Sequence, residues 1–197
     1  MAGKIKSIKN FIVKHQLHVL RDVVIFMVIT LAIHFIWRVW ARQFNYAPIT
    51  EFMYNLMGLM TAEVYRESIW VISGLMDVVR VDETMHIYFP NQCVMYVNSG
   101  CSGLKQILQF ALLIILFPGP WKKKFWFIPL GILVMHITNL IRVIGLAVIM
   151  NKWPQYWNFS HDYIFRVIFY VVIFLLWMLW VEKIKDKSSK RVLGAGD

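Results

Sequence analysis

Four stretches of the chain are apolar with little interruption: residues 23–40, 102–117, 125–150 and 163–181. A helix crosses the hydrocarbon core with roughly 20 apolar residues, so each stretch is read as a membrane span. Between the first and second spans the pattern changes. Residues 50–64 and 66–79 have helical spacing, but Glu51, Glu63, Arg66, Glu67 and Asp77 interrupt the apolar positions. Each is short for a span and amphipathic, which favours two helices packed at or near the outer interface. The alternative is a crossing pair, because a single crossing would invert every later span. Residues 84–88 and 93–97 carry β-formers on either side of Pro90, Asn91 and Gln92, the pattern of a small hairpin. The expected fold is all-α: a polytopic transmembrane helix bundle with four clear spans, six if the pair crosses, and a small extracytoplasmic hairpin.

Composition strengthens this picture. Of 197 residues, 59% are hydrophobic, and the mean hydropathy is +0.57. A soluble domain of this length cannot hide so much apolar surface. The chain is therefore expected to form one integral membrane domain over residues 1–197. Within it, residues 42–100 form an extracytoplasmic or interfacial segment, and residues 183–197 a basic cytoplasmic tail. The opening stretch KIKSIKNFIVKH is basic and amphipathic, and no small-residue cleavage site follows the first apolar run. The first span is thus expected to remain as an anchor.

The formal charge of +10 raises the possibility of nucleic-acid binding, but its distribution argues against it. The basic residues gather at Lys4, Lys6, Lys9, Lys14 and Arg21, at Lys122, Lys123 and Lys124, and at Lys183, Lys185, Lys187, Lys190 and Arg191. Each cluster flanks a span, as the positive-inside rule requires, and no nucleic-acid-reading module accompanies them. With both termini in the cytoplasm, four spans put all three clusters on one side. Cys93 and Cys101 are the only cysteines, and no Cys/His grouping has metal-site spacing. No cofactor or metal is expected.

Ionisable groups inside spans cost about 2.5–3.5 kcal/mol each near the centre, so they call for an explanation. Cys101, Lys105 and Gln109 recur every four residues, with Ser102 and Gln106 beside them; His136, Asn139 and Arg142 recur every three; His161 and Asp162 open the last span. Under the proposed topology Cys101 and His161 lie near the outer surface. Arg142 precedes Met150 by eight residues, roughly 12 Å of helix, and so lies deeper. It reaches them by snorkelling, or by the helix ending before Met150. Such a meeting divides the labour clearly. Cys101 attacks as a thiolate, His161 accepts and returns the proton, and Arg142, which cannot act as a base, stabilises negative charge. Each residue also has a structural reading. Cys101 is a small packing group, His161 an interfacial histidine, and Arg142 helix glue with Asn139. Lys105 snorkels or meets lipid headgroups, His136 hydrogen-bonds between helices, and Trp153, Tyr156 and Trp157 form an interfacial belt.

The ordered set of GCSGL at a span start, NLIR in the next long span and a histidine heading the following one resembles the exosortase/archaeosortase family. CSGLKQ is most similar to the short exosortases of Bacteroidota-type bacteria. The resemblance implies a membrane-embedded cysteine peptidase or transpeptidase. Its substrates would be exported proteins that end in a short motif, a hydrophobic span and a basic tail. It would act at the outer face of a bacterial cytoplasmic membrane, with the lipid bilayer as its other partner. It also implies Cys101 as nucleophile, Arg142 and His161 as the other catalytic positions, and Asn139 within the matched motif; Ser102 and Lys105 are carried as supporting residues. Two other readings stay open. GCSG also fits the GxSG pattern of rhomboid-like serine proteases, with Ser102 as nucleophile, and the polar stripes suit a non-enzymatic scaffold or transporter.

Overall fold

A computed structural model describes residues 17–43, 49–78 and 80–185. The basic positions Lys4, Lys6, Lys9 and Lys14, and Lys187, Lys190 and Arg191 of the tail, lie outside the described residues. The elements run α1 (Leu17–Gln43), α2 (Ile49–Leu75), β1 (Arg80–Val81), β2 (His86–Tyr88), β3 (Val94–Tyr96), α3 (Leu104–Leu116), α4 (Trp121–Lys152) and α5 (Phe165–Leu179). A 3₁₀ turn (Ser99–Cys101) precedes α3. A helical turn (Trp157–Phe159) and a π turn (Ser160–Ile164) lead into α5. Among the described residues, four helices are long and apolar enough to cross a membrane: Leu20–Val39, Ser99–Leu116, Trp121–Lys152 and Pro154–Glu182. They coincide with the four apolar stretches of the sequence, so the chain is an all-α polytopic membrane protein.

The intervening segment departs from expectation. The two short helices are one unbroken helix, α2, of 27 residues. No proline interrupts it, and Glu63, Arg66 and Glu67, three of the charged positions that suggested a break, find partners instead. Arg66 pairs with Glu63 on the helix surface, and Glu67 reaches α4. The hairpin is present as expected, with β2 and β3 antiparallel and Ile87 opposite Met95. A third strand, β1, pairs with β2; at two residues it was too short to signal itself in the sequence.

The hairpin is tied down at both ends. Asn91, in its turn, donates from Nδ2 to the carbonyls of Met150 and Asn151 at 2.8 and 2.9 Å. Those are orphan carbonyls at the end of α4, so one side chain satisfies a helix terminus and docks the sheet. At the other end, the Tyr65 hydroxyl of α2 meets the carbonyls of Asp82 and His86 at 2.9 and 3.0 Å. Asp82 itself accepts from the His86 amide and the Thr84 hydroxyl.

Two apolar clusters fill the interior. The inner one packs Phe110 and Phe117 of α3 against Phe127 and Met135 of α4 and Phe169, Ile173 and Trp177 of α5. The outer one joins the hairpin (Ile87, Phe89, Met95) to Val64 and Ile72 of α2 and to Val143, Leu146 and Ala147 of α4; Cys101 belongs to it. Gly131 sets the spacing of α3 and α4, because a Cβ there would stand 2.0 Å from the Phe110 ring. Lys124, one of the three clustered lysines, is buried rather than exposed. It is 3% exposed, and its Nζ donates to the carbonyls of Ile115 and Phe117, each at 2.7 Å, over the Trp121 ring. It closes the C-terminus of α3, where a cation also suits the helix dipole.

Two tests follow from this packing. Lys124→Met should lower the thermal midpoint in detergent, at a cost of about 1.5–3 kcal/mol for charge-assisted bonds, whereas Lys122→Met should not. The His86 amide holds the Asp82 carboxyl down at about 2, against an ordinary 3.8, with help from Thr84 and Tyr88. Its contribution to the hairpin is full above pH 3.8 and is lost as pH falls towards 2. Hydrogen exchange of the hairpin amides should accelerate in that window for the native chain, and Asp82→Asn should flatten this acid response.

Candidate active site at the membrane elbow

The GCSG segment folds as an elbow because its small and polar residues satisfy its own backbone. The Asn98 side chain accepts from the Gly100 amide at 2.9 Å and caps the 3₁₀ turn that holds Cys101. Ser102 Oγ accepts from the Leu104 amide at 3.3 Å, at the start of α3. Gly103 between them is left-handed, with φ of 73°, where a side chain is strained; a Cβ there would also meet Asn139 Nδ2 at 2.9 Å. The elbow therefore fits closely onto α4.

Two α4 residues grip it. Asn139 donates from Nδ2 to the Cys101 carbonyl at 2.7 Å, and Arg142 donates from Nη1 to the Gly100 carbonyl at 3.5 Å. Asn139 is fully buried, and its Oδ1 has no hydrogen-bond partner among the described residues. The other terminal nitrogen of Arg142, Nη2, lies 3.1 Å from His161 Nε2. Cys101 is 6% exposed and within electrostatic reach of Arg142. Three segments that are remote in sequence, the elbow, α4 and the π turn, thus meet at one guanidinium.

The chemistry of this contact fixes the histidine. Arginine has donors only, so Nε2 of His161 accepts, and the ring proton sits on Nδ1. Nδ1 lies 3.0 Å from Asp162 Oδ1, which accepts that proton's hydrogen bond. Trp157 stacks on the ring, with centroids 5.8 Å apart and planes 16° from parallel. The π turn carries an extra residue in the helix, a feature frequent at functional sites, and it sets where His161 and Asp162 point.

The α4 helix neither ends early nor needs Arg142 to snorkel. Asn139 lies 18 residues beyond Trp121, about 27 Å of helix, so the level of Cys101 is near the far edge of a core about 30 Å thick. Beyond it α4 continues to Lys152 under the hairpin. The short α3, of 13 residues, brings Cys101 to the level of Asn139 and Arg142.

The sequence model of the transmembrane exosortases matches residues 17–178. The chain belongs to that family. No curated protein and no solved structure matches it. For an exosortase, a membrane protease or transpeptidase role follows in general terms, and the chain is a multi-pass membrane protein.

Within this exosortase, the structure gathers Cys101, Asn139, Arg142 and His161, but not Lys105. The four-residue repeat that linked Cys101 to Lys105 and Gln109 is interrupted at Gly103. Helix α3 begins only at Leu104, so Cys101 turns into the outer cluster while Lys105 and Gln109 line cavities beside α1. The His136, Asn139, Arg142 stripe also divides, since His136 bonds Glu67 of α2 at 2.8 Å. Sequence reasoning passed over Asp162 as a partner for His161, although adjacency was the available signal. Trp157, a member of the aromatic group with Trp153 and Tyr156, also serves as the ring's stacking partner. Nothing local in the sequence marked Glu67 as the partner of His136.

The cysteines are free thiols. The Cys93 amide bonds Asn91, which holds Met150 and Asn151, whereas the Cys101 carbonyl is held at Asn139. Those anchors are at least 11 residues apart on α4, about 16 Å, so the two cysteines are tied to different levels of that helix. Alkylation in denaturing detergent without reductant should label both thiols. In the folded protein Cys93 should react faster than the buried Cys101, and Asn139→Ala should speed Cys101 by loosening the elbow. A dominant Cys93–Cys101 bridge would contradict this geometry.

Proposed function

We propose that this exosortase is a cysteine peptidase or transpeptidase of the bacterial cytoplasmic membrane. On this reading both termini are cytoplasmic and the site opens to the extracytoplasmic face. Its substrates are exported proteins ending in a hydrophobic span and a basic tail. The observation that carries the reading is the single guanidinium of Arg142 placed between the Gly100 carbonyl and His161 Nε2. Cys101, on the same elbow, is the nucleophile.

In the resting arrangement Arg142 occupies the lone pair that His161 needs as a base. The scissile carbonyl draws the guanidinium away, which frees Nε2 and places donors where the oxyanion forms. The proton of Cys101 Sγ passes to Nε2, and the thiolate adds to the carbonyl carbon. Collapse breaks the peptide C–N bond, and the leaving amine takes the proton from His161. The remaining thioester is resolved by an acceptor amine in transfer or by water in hydrolysis, with His161 again taking and returning a proton. Asp162 orients the ring and stabilises its charged form, while Asn139 fixes the elbow. Ser102 has no step, and its oxygen caps α3. Lys105 stands outside this chemistry.

In cells co-expressing a substrate with its C-terminal signal, Cys101→Ala should abolish processing and Ser102→Ala should leave most of it. The reverse pattern would establish the serine mechanism, and normal processing by both would remove the enzyme reading. Arg142→Lys should insert normally yet lose about 100-fold in rate, because lysine keeps the charge but not the planar fork. Full activity in that variant would reduce Arg142 to a bulk positive charge.

A further inference from the structure

A second polar site adjoins the candidate active site; the two meet at Phe169, over whose ring Arg142 lies at 6.0 Å, and at Arg166, which pairs with Asp162. A cavity of about 390 Å³ opens between α1, α3 and α5, lined by His34, Trp37, Arg38, Lys105, Gln109 and Arg166, among others. Ligand pockets start at about this size. Its charge is one-sided. Lys105, Arg38 and Arg166 all act electrostatically on His34, and Arg166 acts on Lys105 as well. Among the described residues no ion pair involves Lys105 or Arg38, and Arg166 has only Asp162, at 3.6 Å. Gln109 is 2% exposed, and its amide nitrogen, a donor, has no partner among the described residues. A buried donor left unmatched costs about 1–3 kcal/mol, and like charges at this depth repel. Both costs fall when an anion with several acceptor oxygens enters.

A narrower cleft of about 210 Å³ adjoins it and shares His34, Trp37, Lys105 and Gln109. The remainder of its lining is apolar: Ile33, Ile36, Met53, Leu108 and Leu112. Leu31 and Phe35 of α1, and Val167 and Val171 of α5, are uncovered by protein and flank the area, as lipid-facing residues do. A cationic chamber that continues into an apolar cleft matches a molecule with an anionic head and a hydrocarbon chain. A soluble anion would leave the cleft unused, and an acidic peptide would bring backbone groups that the cleft cannot satisfy.

We propose that this double cavity binds one membrane phospholipid. Its phosphate is held by Lys105, Arg38, Arg166 and Gln109, and part of one chain lies along Leu108 and Leu112. The test reads lipid binding alone, so its outcome is distinguishable from that of the catalytic reading even though Arg166 pairs with Asp162. The test uses the full chain in mild detergent and native mass spectrometry. The titrants are dioleoyl phosphatidic acid, dioleoylglycerol with the same chains but no phosphate, and glycerol 3-phosphate with no chains. One saturable phosphatidic acid is expected per protein, with at least about tenfold weaker binding of the other two. The double variant Arg38→Gln/Lys105→Gln should weaken phosphatidic acid by about tenfold or more, the loss of one or two charge-assisted bonds, whereas Lys122→Gln should not. Glycerol 3-phosphate binding as tightly as the lipid would make this a soluble-anion site and overturn the assignment. So would phosphatidic acid binding equally to native and double-variant chains, or dioleoylglycerol binding as well as phosphatidic acid. An acidic peptide that binds the native chain where phosphatidic acid does not would assign the chamber to a polypeptide instead.

Discussion

A guanidinium that is only 8% exposed at membrane depth must be met by acceptors, and the arrangement around Arg142 follows from that requirement. The acceptors are a backbone carbonyl of the elbow and the unprotonated nitrogen of His161. The elbow can offer its carbonyl because Gly103 permits a left-handed residue pressed against Asn139. The histidine can offer its nitrogen because Asp162 takes the ring proton and Trp157 holds the plane. A donor-only side chain therefore selects a tautomer and fixes one attachment of a loop to a helix. The same contact occupies His161 Nε2, and the elbow it holds carries Cys101.

The outer cap belongs to the same logic. Helix α4 extends beyond the level of the site, and its final carbonyls need partners that neither lipid nor another helix supplies. Asn91 provides them and so brings the small sheet over the elbow, where Ile87 and Met95 share an apolar cluster with Cys101. At the end of the bundle away from the hairpin, Lys124 does for α3 what Asn91 does for α4. Both cases use a polar side chain to close a helix terminus, and both fix the vertical placement of α3 against α4 on which the site depends.

Much of this was legible in the residues. The four spans, the hairpin and the convergence of Cys101, Asn139, Arg142 and His161 follow from long apolar runs, from turn residues and from ionisable groups too costly to be incidental. The failures have physical causes. Helix α2 looked like two pieces because Glu63, Arg66 and Glu67 interrupt its pattern, and their partners are set by packing that a linear pattern does not encode. Lys105 seemed to belong with Cys101 because four-residue spacing presumes an unbroken helix, and Gly103 breaks it. The burial of Lys124 left no mark within its lysine cluster, because the carbonyls it closes became visible only once α3 was placed. The pairing of His136 with Glu67 joins residues 69 positions apart and left no local mark.

The central claim is that Cys101 acts as a nucleophile within reach of a proton acceptor held ready by Arg142. The most direct measurement is mass spectrometry of the full chain after brief incubation with a peptide substrate bearing its C-terminal signal. The sample is quenched in acid and mapped by peptide. The account predicts a substrate-derived acyl group on the Cys101 peptide, released by neutral hydroxylamine and absent from Cys101→Ala. An acyl group on Ser102, or substrate turnover by a chain that carries no adduct and tolerates loss of the thiol, would contradict it.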